Sequence, residues 1–227
     1  MQSMGGDLFA TKGLEYLIVV AYLALLAGCW RFVRWPASAP VRSVAPRPMR
    51  GWFDVPENVL FHQGHTWAAP EDGDLVRVGL DDFAQKLLGV PSGLRLPAVG
   101  ARLRQGERGW AVQLDGHDIG MLSPVDGEVV AVNSAVAERP ELVSRGPYDE
   151  GWLMKVRVPS QTTARKNLLA GPLARAWMDR TVEQLRTMRA GELGIVLPDG
   201  GFPVMGFARV LAPEDWDELA QRLLLSD

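Results

Sequence analysis

The sequence predicts a mainly β domain that follows an N-terminal membrane helix and precedes a small α+β extension. Residues 14–33 form one continuous apolar block near the N-terminus. Residues 52–159 contain short runs of alternating apolar residues, separated by Gly, Pro and Asp, as in strands. Residues 160–227 return largely to helical spacing. The 227 residues suffice for one or two domains with a buried core.

The apolar block reads LEYLIVVAYLALLAGCWRFV, 20 residues that as a helix would span about 30 Å, the thickness of a bilayer core. Its charged residues, Glu15 and Arg31, lie near the ends, where a charge costs less than at the bilayer centre. A cleaved signal peptide is the alternative. However, residues 1–13 lack a basic stretch, and the A-x-A-like site at residues 37–39 is followed by a proline. We therefore expect residues 14–33 to anchor the chain in a membrane.

Arginines dominate the residues that follow this helix. None of the residues between 31 and 50 is acidic, and the arginines are Arg31, Arg34, Arg42, Arg47 and Arg50. The positive-inside rule therefore predicts a single-pass protein of the inner (cytoplasmic) membrane with its C-terminal body in the cytoplasm. The single cysteine, Cys29, agrees with a reducing compartment and excludes a disulfide framework and a cysteine-based metal site.

Residues 34–51 form a linker rich in proline and arginine, without apolar periodicity. The linker either holds the body close to the membrane or is an ordinary solvated connection whose charges set the topology. The body, Gly51–Asp227, carries 18 basic and 25 acidic residues, a net charge of −7. Such an acidic body has no electrostatic affinity for nucleic acid.

Each element of the β domain has its own local signal. Leu75–Leu80 alternates as a strand, and Asp82–Leu88 has helical spacing with Asp81 as N-cap and Gly89 as terminator. The strongest hairpin signal is Asp115-Gly116. Further predicted elements are the strands of that hairpin, Trp110–Leu114 and the return run through Leu122, the turn Asp126-Gly127 with the strand Glu128–Val132, and the closing strand Trp152–Val158.

The same residues resemble the H protein of the glycine cleavage system. Six stretches between about Phe53 and Pro159 match in family order: VPENVLFHQGHTWA (Val55 to Ala68), VRVGLDDFAQKLLG (Val76 to Gly89), LPAVGARLRQGE (Leu96 to Glu107), SPVDGEVVAVN (Ser123 to Asn133), PELV (Pro140 to Val143) and PYDEGWLMKV (Pro147 to Val156). The segment NLLAGPLARAW, residues 167–177, is similar to the family's C-terminal helix. The resemblance implies a lipoyl-domain-like β-sandwich, a barrel-sandwich hybrid.

The resemblance also implies a carrier, because an H protein bears lipoate on one lysine at a hairpin tip, in a stretch reading roughly E-x-x-K. Here the interval from Gly106-Glu107 to Ser123-Pro124-Val125 has the family's spacing. The lysine position falls on Gly116, with Asp115 and His117 beside it, and the glutamate position falls on Gln113. No lysine occurs between Lys86 and Lys155.

Because glycine offers no amine, we expect no lipoyl group and no other cofactor. The predicted function is a membrane-anchored, non-catalytic adapter or assembly module with unidentified protein partners. The alternative is a lipoyl carrier of glycine cleavage, or of a related multi-enzyme pathway, whose lysine lies elsewhere. Lys155 matches a structural lysine of the family, and Lys86 is on the short helix. An enzyme seated in the extension has no support, since no catalytic motif occurs.

Three histidines invite other interpretations. His62 and His65 are three residues apart and could form a metal site, although packed or hydrogen-bonded histidines are the favoured interpretation. His117 beside Asp115 and Asp118 could bind a cation or titrate near neutral pH, but residues of these types are common in exposed turns. We expect no metal site and no catalytic residue.

The extension is predicted to begin with a helical segment over residues 160–190, broken or bent at Gly171-Pro172. Its apolar face comprises Leu169, Leu173, Trp177, Met178, Val182, Leu185 and Met188. Residues 191–227 are predicted to form a hairpin around Pro198–Gly201 and a helix that opens at Pro213, with Trp216, Leu219, Leu223 and Leu224 on one side. That helix either packs on the hairpin or docks on a partner. Packing is favoured, because an isolated hairpin cannot bury its apolar side.

Overall fold

The structure of the chain is a computed structural model, and it describes residues 16–26, 51–188 and 203–226. The chain divides into two units, Met1–Met49 and Arg50–Asp227. In the first unit, residues 16–26 form helix α1. No helix within these three described ranges is long and apolar enough to cross a bilayer. The remaining residues of the predicted anchor, 14–15 and 27–33, lie outside the described residues.

The second unit contains two antiparallel sheets, which confirms a mainly β fold. The larger sheet has the strand order β1-β2-β3-β9-β8-β5 and the smaller one β4-β6-β7. The strands are β1 Leu60–His62, β2 Thr66–Pro70, β3 Leu75–Leu80, β4 Gly93–Arg95, β5 Arg102–Leu103, β6 Arg108–Leu114, β7 His117–Leu122, β8 Gly127–Val132 and β9 Met154–Arg157.

Strand β6 alternates between buried and partly exposed residues, because one of its faces packs on the core. Trp110, Val112 and Leu114 are buried while the residues between them are partly exposed. The largest fully buried side chains are Trp67, Phe61, Phe83, Phe207, Leu80, Leu87, Leu88, Leu114, Ile119, Met121, Leu153 and Met154. Each large apolar side chain so buried contributes about 1.5–3 kcal/mol to stability.

Seven helices follow α1 in the described residues. They are α2 Asp82–Leu88, α3 Ser134–Glu138, α4 Leu142–Arg145, α5 Gln161–Ala164, α6 Gly171–Met188, α7 Phe207–Leu211 and α8 Trp216–Leu223. Helix α2 has the predicted bounds. Asp81 is its N-cap and accepts a hydrogen bond from Ala84 N at 2.8 Å, and Gly89, with a φ of 87°, ends it.

Several short strands were not predicted from the sequence. Strands β1, β4 and β5 have only two or three residues, and β2 is buried at four consecutive positions, so it shows no alternation. The closing strand β9 is also shorter than predicted. Strand β1 receives an unpredicted partner at the sheet edge, because Phe61 and Leu169 exchange two backbone hydrogen bonds of 2.8 Å.

Of the two predicted alternatives at Gly171-Pro172, a break or a bend, the structure shows the break. The segment is broken before Gly171 instead of bent within one helix, and Pro172 lies in the first turn of α6, where its missing N–H costs nothing. The predicted apolar face is wrong at Leu173, which is 61% exposed. The buried residue is Ala174, because the helix packs on the cluster that contains Phe61 and Trp67.

The last two predicted elements are a hairpin and the final helix. The predicted hairpin falls mostly on residues 189–202, which lie outside the described residues. The final helix begins at Trp216 and not at Pro213. The three residues before it instead form the bend that joins α7 to α8.

One close approach in the larger sheet yields a stability prediction. A Cβ at Gly79 would lie 2.6 Å from the ring of Trp67, which is fully buried and donates through Nε1 to Leu80 O and Pro147 O. We expect Gly79→Ala to lower the free energy of unfolding by about 1–3 kcal/mol, because the ring cannot move without losing these bonds. The measurement is chemical denaturation of the full-length chain.

The matched control is Gly146→Ala. Gly146 has a φ of −147°, and the nearest heavy atom to a Cβ there is 3.7 Å away. This substitution should change stability by no more than about 0.5 kcal/mol. Equal effects of the two alanines would contradict the predicted clash.

Candidate functional site

The β6–β7 hairpin presents the candidate site at its tip. Strands β6 and β7 pair from Leu114 opposite His117 down to Arg108 opposite Leu122, with one irregularity between Arg108 and Trp110. Asp115 and Gly116 form the turn, and both have positive φ, 49° and 83°. This backbone geometry matches the two-residue turn that an Asp-Gly pair favours. The hairpin prediction is therefore confirmed.

The turn places Gly116 at the exposed end of the hairpin. A Cβ built on Gly116 would meet no heavy atom within 4 Å. Gln113, on β6, donates through Nε2 to Asp118 Oδ1 at 3.1 Å, and Asp118 also pairs with Arg95 at 2.8 Å. A glutamate in place of Gln113 would bring its carboxylate next to that of Asp118, and the two like charges would repel each other. The glutamine is therefore the residue that matches Asp118.

A feature that the sequence did not reveal is the contact of the C-terminal segment, residues 203–226, with both sides of this tip. Arg209 of α7 holds Asp115, with its Nε and Nη2 atoms 2.8 and 2.7 Å from Asp115 Oδ2. Asp217 of α8 holds His117, with Oδ2 3.0 Å from Nδ1. We call these two contacts the tip latch. Both neighbours of Gly116 are therefore bound by the C-terminal segment, whereas Gly116 itself faces open space.

Arg209 connects the tip latch to the rest of the domain. Its Nη1 donates to Leu88 O at 2.7 Å, at the end of α2, and its guanidinium lies 4.3 Å from the ring centroid of Trp216. Trp216 also meets His117 edge-on at 5.3 Å. The Asp115 side chain is 67% exposed, so this ion pair alone contributes no more than about 1 kcal/mol. The carbonyl bond and the indole contact add to it.

The C-terminal segment is anchored in the main core. Phe207 is fully buried and packs on Phe53 and Phe83, with ring centroids 6.4 and 5.8 Å away. Gly206 N donates to Lys86 O at 2.8 Å. Helix α8 packs against β7 and against α7. The final helix therefore packs within the chain, on the β6–β7 hairpin. The hairpin predicted around Pro198–Gly201 lies mostly outside the described residues.

The two histidines near the N-terminus of the domain are hydrogen-bonded. His65 is buried, lies 2.8 Å from Asp81 Oδ2 through Nδ1, and stacks on Phe83 at 3.9 Å. His62 accepts a bond from Gly64 N at 3.0 Å. The packed interpretation matches these contacts. Within the described residues no group of three or more metal-ligating side chains occurs.

His117 contacts a different acid from the one its sequence neighbours suggested. Its carboxylate partner is Asp217, 100 residues away, and not Asp118. The two acids beside His117 in the sequence, Asp115 and Asp118, are each paired with an arginine.

Three of the four lysines lie within the described residues, and all three are away from the tip. Lys86 Nζ lies 2.7 Å from Asp82 Oδ2 and donates to Trp52 O at 3.1 Å. Lys155, on β9, pairs with Glu71 at 2.8 Å. Lys166 is exposed in the turn after α5.

Two antiparallel sheets with an exposed hairpin tip make the second unit a small, mainly β domain. A family model described as Glycine cleavage H-protein matches residues 59–180, more than half of the chain. The chain belongs to the glycine cleavage H-protein family. Residues 1–58 and 181–227, which include the C-terminal segment, lie outside that match.

Two relatives with the same family description agree with this assignment. A probable glycine cleavage system H protein of Natronomonas pharaonis is 41% identical over 104 residues, which cover 46% of this chain and 82% of the relative. The glycine cleavage system H protein of Thermus thermophilus is 39% identical over 105 residues, with 46% and 81% covered. A crystal structure of the H protein from Mycobacterium marinum aligns with a TM-score of 0.48 and 27% identity, and covers 56% of this chain and 98% of that one.

His62 yields a prediction on pH dependence. Burial, and to a smaller extent the nearby His65, lower the pKa of His62 below its ordinary value of 6.5. The unfolded chain therefore binds more protons at this residue, so its contribution to stability falls as the pH drops below about 6.5. His62→Asn keeps an acceptor for Gly64 N and removes the titration. We expect the variant to lose less stability than the wild type between pH 7 and pH 5, measured by urea denaturation.

The comparison of slopes isolates this histidine, because all other titrating groups are common to both proteins. Parallel stability curves for the two chains would contradict the lowered pKa of His62.

Proposed function

We propose that this protein is a membrane-anchored member of the H-protein family that carries no lipoyl group and serves as a non-catalytic adapter or assembly module. The observation that carries the proposal is Gly116 at the exposed tip of the β6–β7 hairpin. Lipoate is attached to proteins through an amide with a lysine amine. A glycine at the tip offers no such amine, and the hairpin contains no lysine.

The turn itself supports an unmodified tip. A residue with φ of 83° favours glycine, and a lysine there would cost on the order of 1 kcal/mol in backbone strain. Asp115 at the preceding position is one of the residue types that tolerate a positive φ. The pair is therefore suited to a stable turn without a modified side chain.

The alternative is a lipoyl carrier of glycine cleavage or of a related pathway, as the names of the relatives suggest. Under that alternative, the acceptor must be one of the four lysines outside the hairpin. Two of the four have partly buried amines that are paired with carboxylates. The two remaining lysines are Lys166, which is exposed, and Lys12 in the N-terminal tail. Neither belongs to the hairpin.

The proposed location is the inner membrane, with residues 14–33 as the anchor and the body in the cytoplasm. The apolar length of that block supports the anchor, and the five arginines at its end and in the linker support the orientation. The proposed partners are proteins, because relatives bear the name of a multi-protein system. An adapter in this position would hold a soluble partner close to the membrane surface.

The absence of lipoate is tested by the intact mass of the native protein. We expect the mass of the bare chain after purification from cells that grow with lipoate. An H protein such as that of Thermus thermophilus, expressed in the same cells, is the positive control and should gain one lipoyl group. A lipoyl increment mapped to any lysine of this chain would favour the carrier alternative.

The topology is tested by fusions to a reporter enzyme that is active only in the periplasm. Five arginines lie at the end of the apolar block and in the linker after it, and residues 1–13 are close to neutral. We therefore expect the C-terminal fusion to be inactive and the N-terminal fusion to be active. The matched pair controls for expression. Strong activity of the C-terminal fusion would place the body outside the cytoplasm.

A further inference from the structure

We propose that the C-terminal segment is an intramolecular occupant of the surface around the hairpin tip, where it excludes enzymes that would dock on or modify the tip. The inference deepens the proposed function, and it rests on that function because a carrier must leave its tip free for other enzymes. The segment lies outside the family match, so this contact is a property of this chain's own extension.

The C-terminal segment contacts the hairpin tip on both sides. Arg209 engages Asp115 from one helix, and Asp217 engages His117 from another. These two hairpin residues flank the turn glycine. Because the partners come from α7 and α8, no single rotation of a side chain frees both flanks.

The C-terminal segment is held on the domain by buried apolar residues. Phe207, Leu211 and Leu224 are buried in the same cluster as the sheet residues. Gly206 approaches α2 so closely that a Cβ on Gly89 would lie 3.1 Å from its Cα. The polar contacts of the tip latch are therefore separate from this apolar packing, and substitutions can remove them while the packing stays intact.

Gly116 itself is accessible to a small reagent but not to a docking enzyme. A Cβ at Gly116 points into open space, so a small reagent reaches the position. An enzyme, however, needs about 800 Å² of surface on its partner for stable docking. One turn residue cannot provide that area, and its flanks are occupied by the C-terminal segment.

A purely structural role for the segment makes a different prediction. If residues 203–226 only complete the core, loss of the tip latch should lower stability slightly and leave access to the tip unchanged. If they exclude enzymes, loss of the tip latch should increase enzymatic modification of an amine placed at the tip. The two roles are separated by a rate of modification and not by stability.

The experiment supplies that amine in the full-length chain through Gly116→Lys. The probe is a lipoate ligase that modifies H proteins, with lipoate and ATP, and the readout is the intact mass over time. Two further variants carry Gly116→Lys together with other changes. The open-latch variant adds Arg209→Ala and Asp217→Ala. The control variant adds Arg222→Ala and Glu218→Ala, which remove the same two charge types from exposed positions of α8.

We expect slow lipoylation of Gly116→Lys alone, the same rate in the control variant, and a rate about tenfold higher in the open-latch variant, which corresponds to about 1.4 kcal/mol. Equal rates in all three would overturn the inference. The inference would also be overturned if the ligase modifies the Thermus thermophilus H protein but none of the variants, because exclusion would then not depend on the tip latch.

Folding is controlled in the same preparations. Each variant should retain a cooperative thermal transition, and hydrogen exchange should accelerate at residues 114–118 only in the open-latch variant. If that variant does not fold, Asp217→Asn replaces its two changes, because it alters one partly exposed carboxylate and leaves the core intact. The wild type is assayed in parallel. Lipoylation of the wild-type chain would contradict the proposed function, whereas equal rates among the variants would contradict only the exclusion.

Discussion

Two buried carboxylates at the start of α2 constrain the parts of the domain that meet there. Asp81 is fully buried and Asp82 nearly so, and a buried charge is tolerated only when it is paired and hydrogen-bonded. Asp81 is satisfied by Ala84 N and by His65. Asp82 accepts from Asp54 N at 2.8 Å and pairs with the amine four residues later. Buried polar groups that would be costly to leave unpaired therefore hold together three parts of the chain. These are the backbone at Asp54, the β1–β2 turn at His65 and helix α2.

The opposite end of α2 extends this constraint to the C-terminal segment. The last carbonyls of a helix have no partner within it, and here two of them are used by the segment. Lys86 O accepts from Gly206 N, and Leu88 O accepts from Arg209. The arginine that holds the hairpin tip is thus positioned by the same helix whose first turn organises the buried carboxylates.

The sequence predicted features that depend on neighbours along the chain. Asp81 and Gly89 gave the bounds of α2, and Asp115-Gly116 gave the hairpin, because caps and two-residue turns are set by local backbone geometry. The tip latch was not predictable in this way. Arg209 and Asp115 are 94 residues apart, and an arginine in an extension has no pattern that names its partner. Strands of two or three residues were missed because they are too short to show alternation.

The backbone pairing between Phe61 and Leu169 affects how the domain behaves at high concentration. Strand β1 ends the larger sheet, and an open sheet edge is a template for strands from other molecules. The connection to α6 supplies two hydrogen bonds to that edge, and at the other end β5 has only two residues. In the smaller sheet, α8 packs against the edge strand β7. Three of the four sheet edges are therefore paired, short or covered by a helix, which opposes aggregation through strand addition.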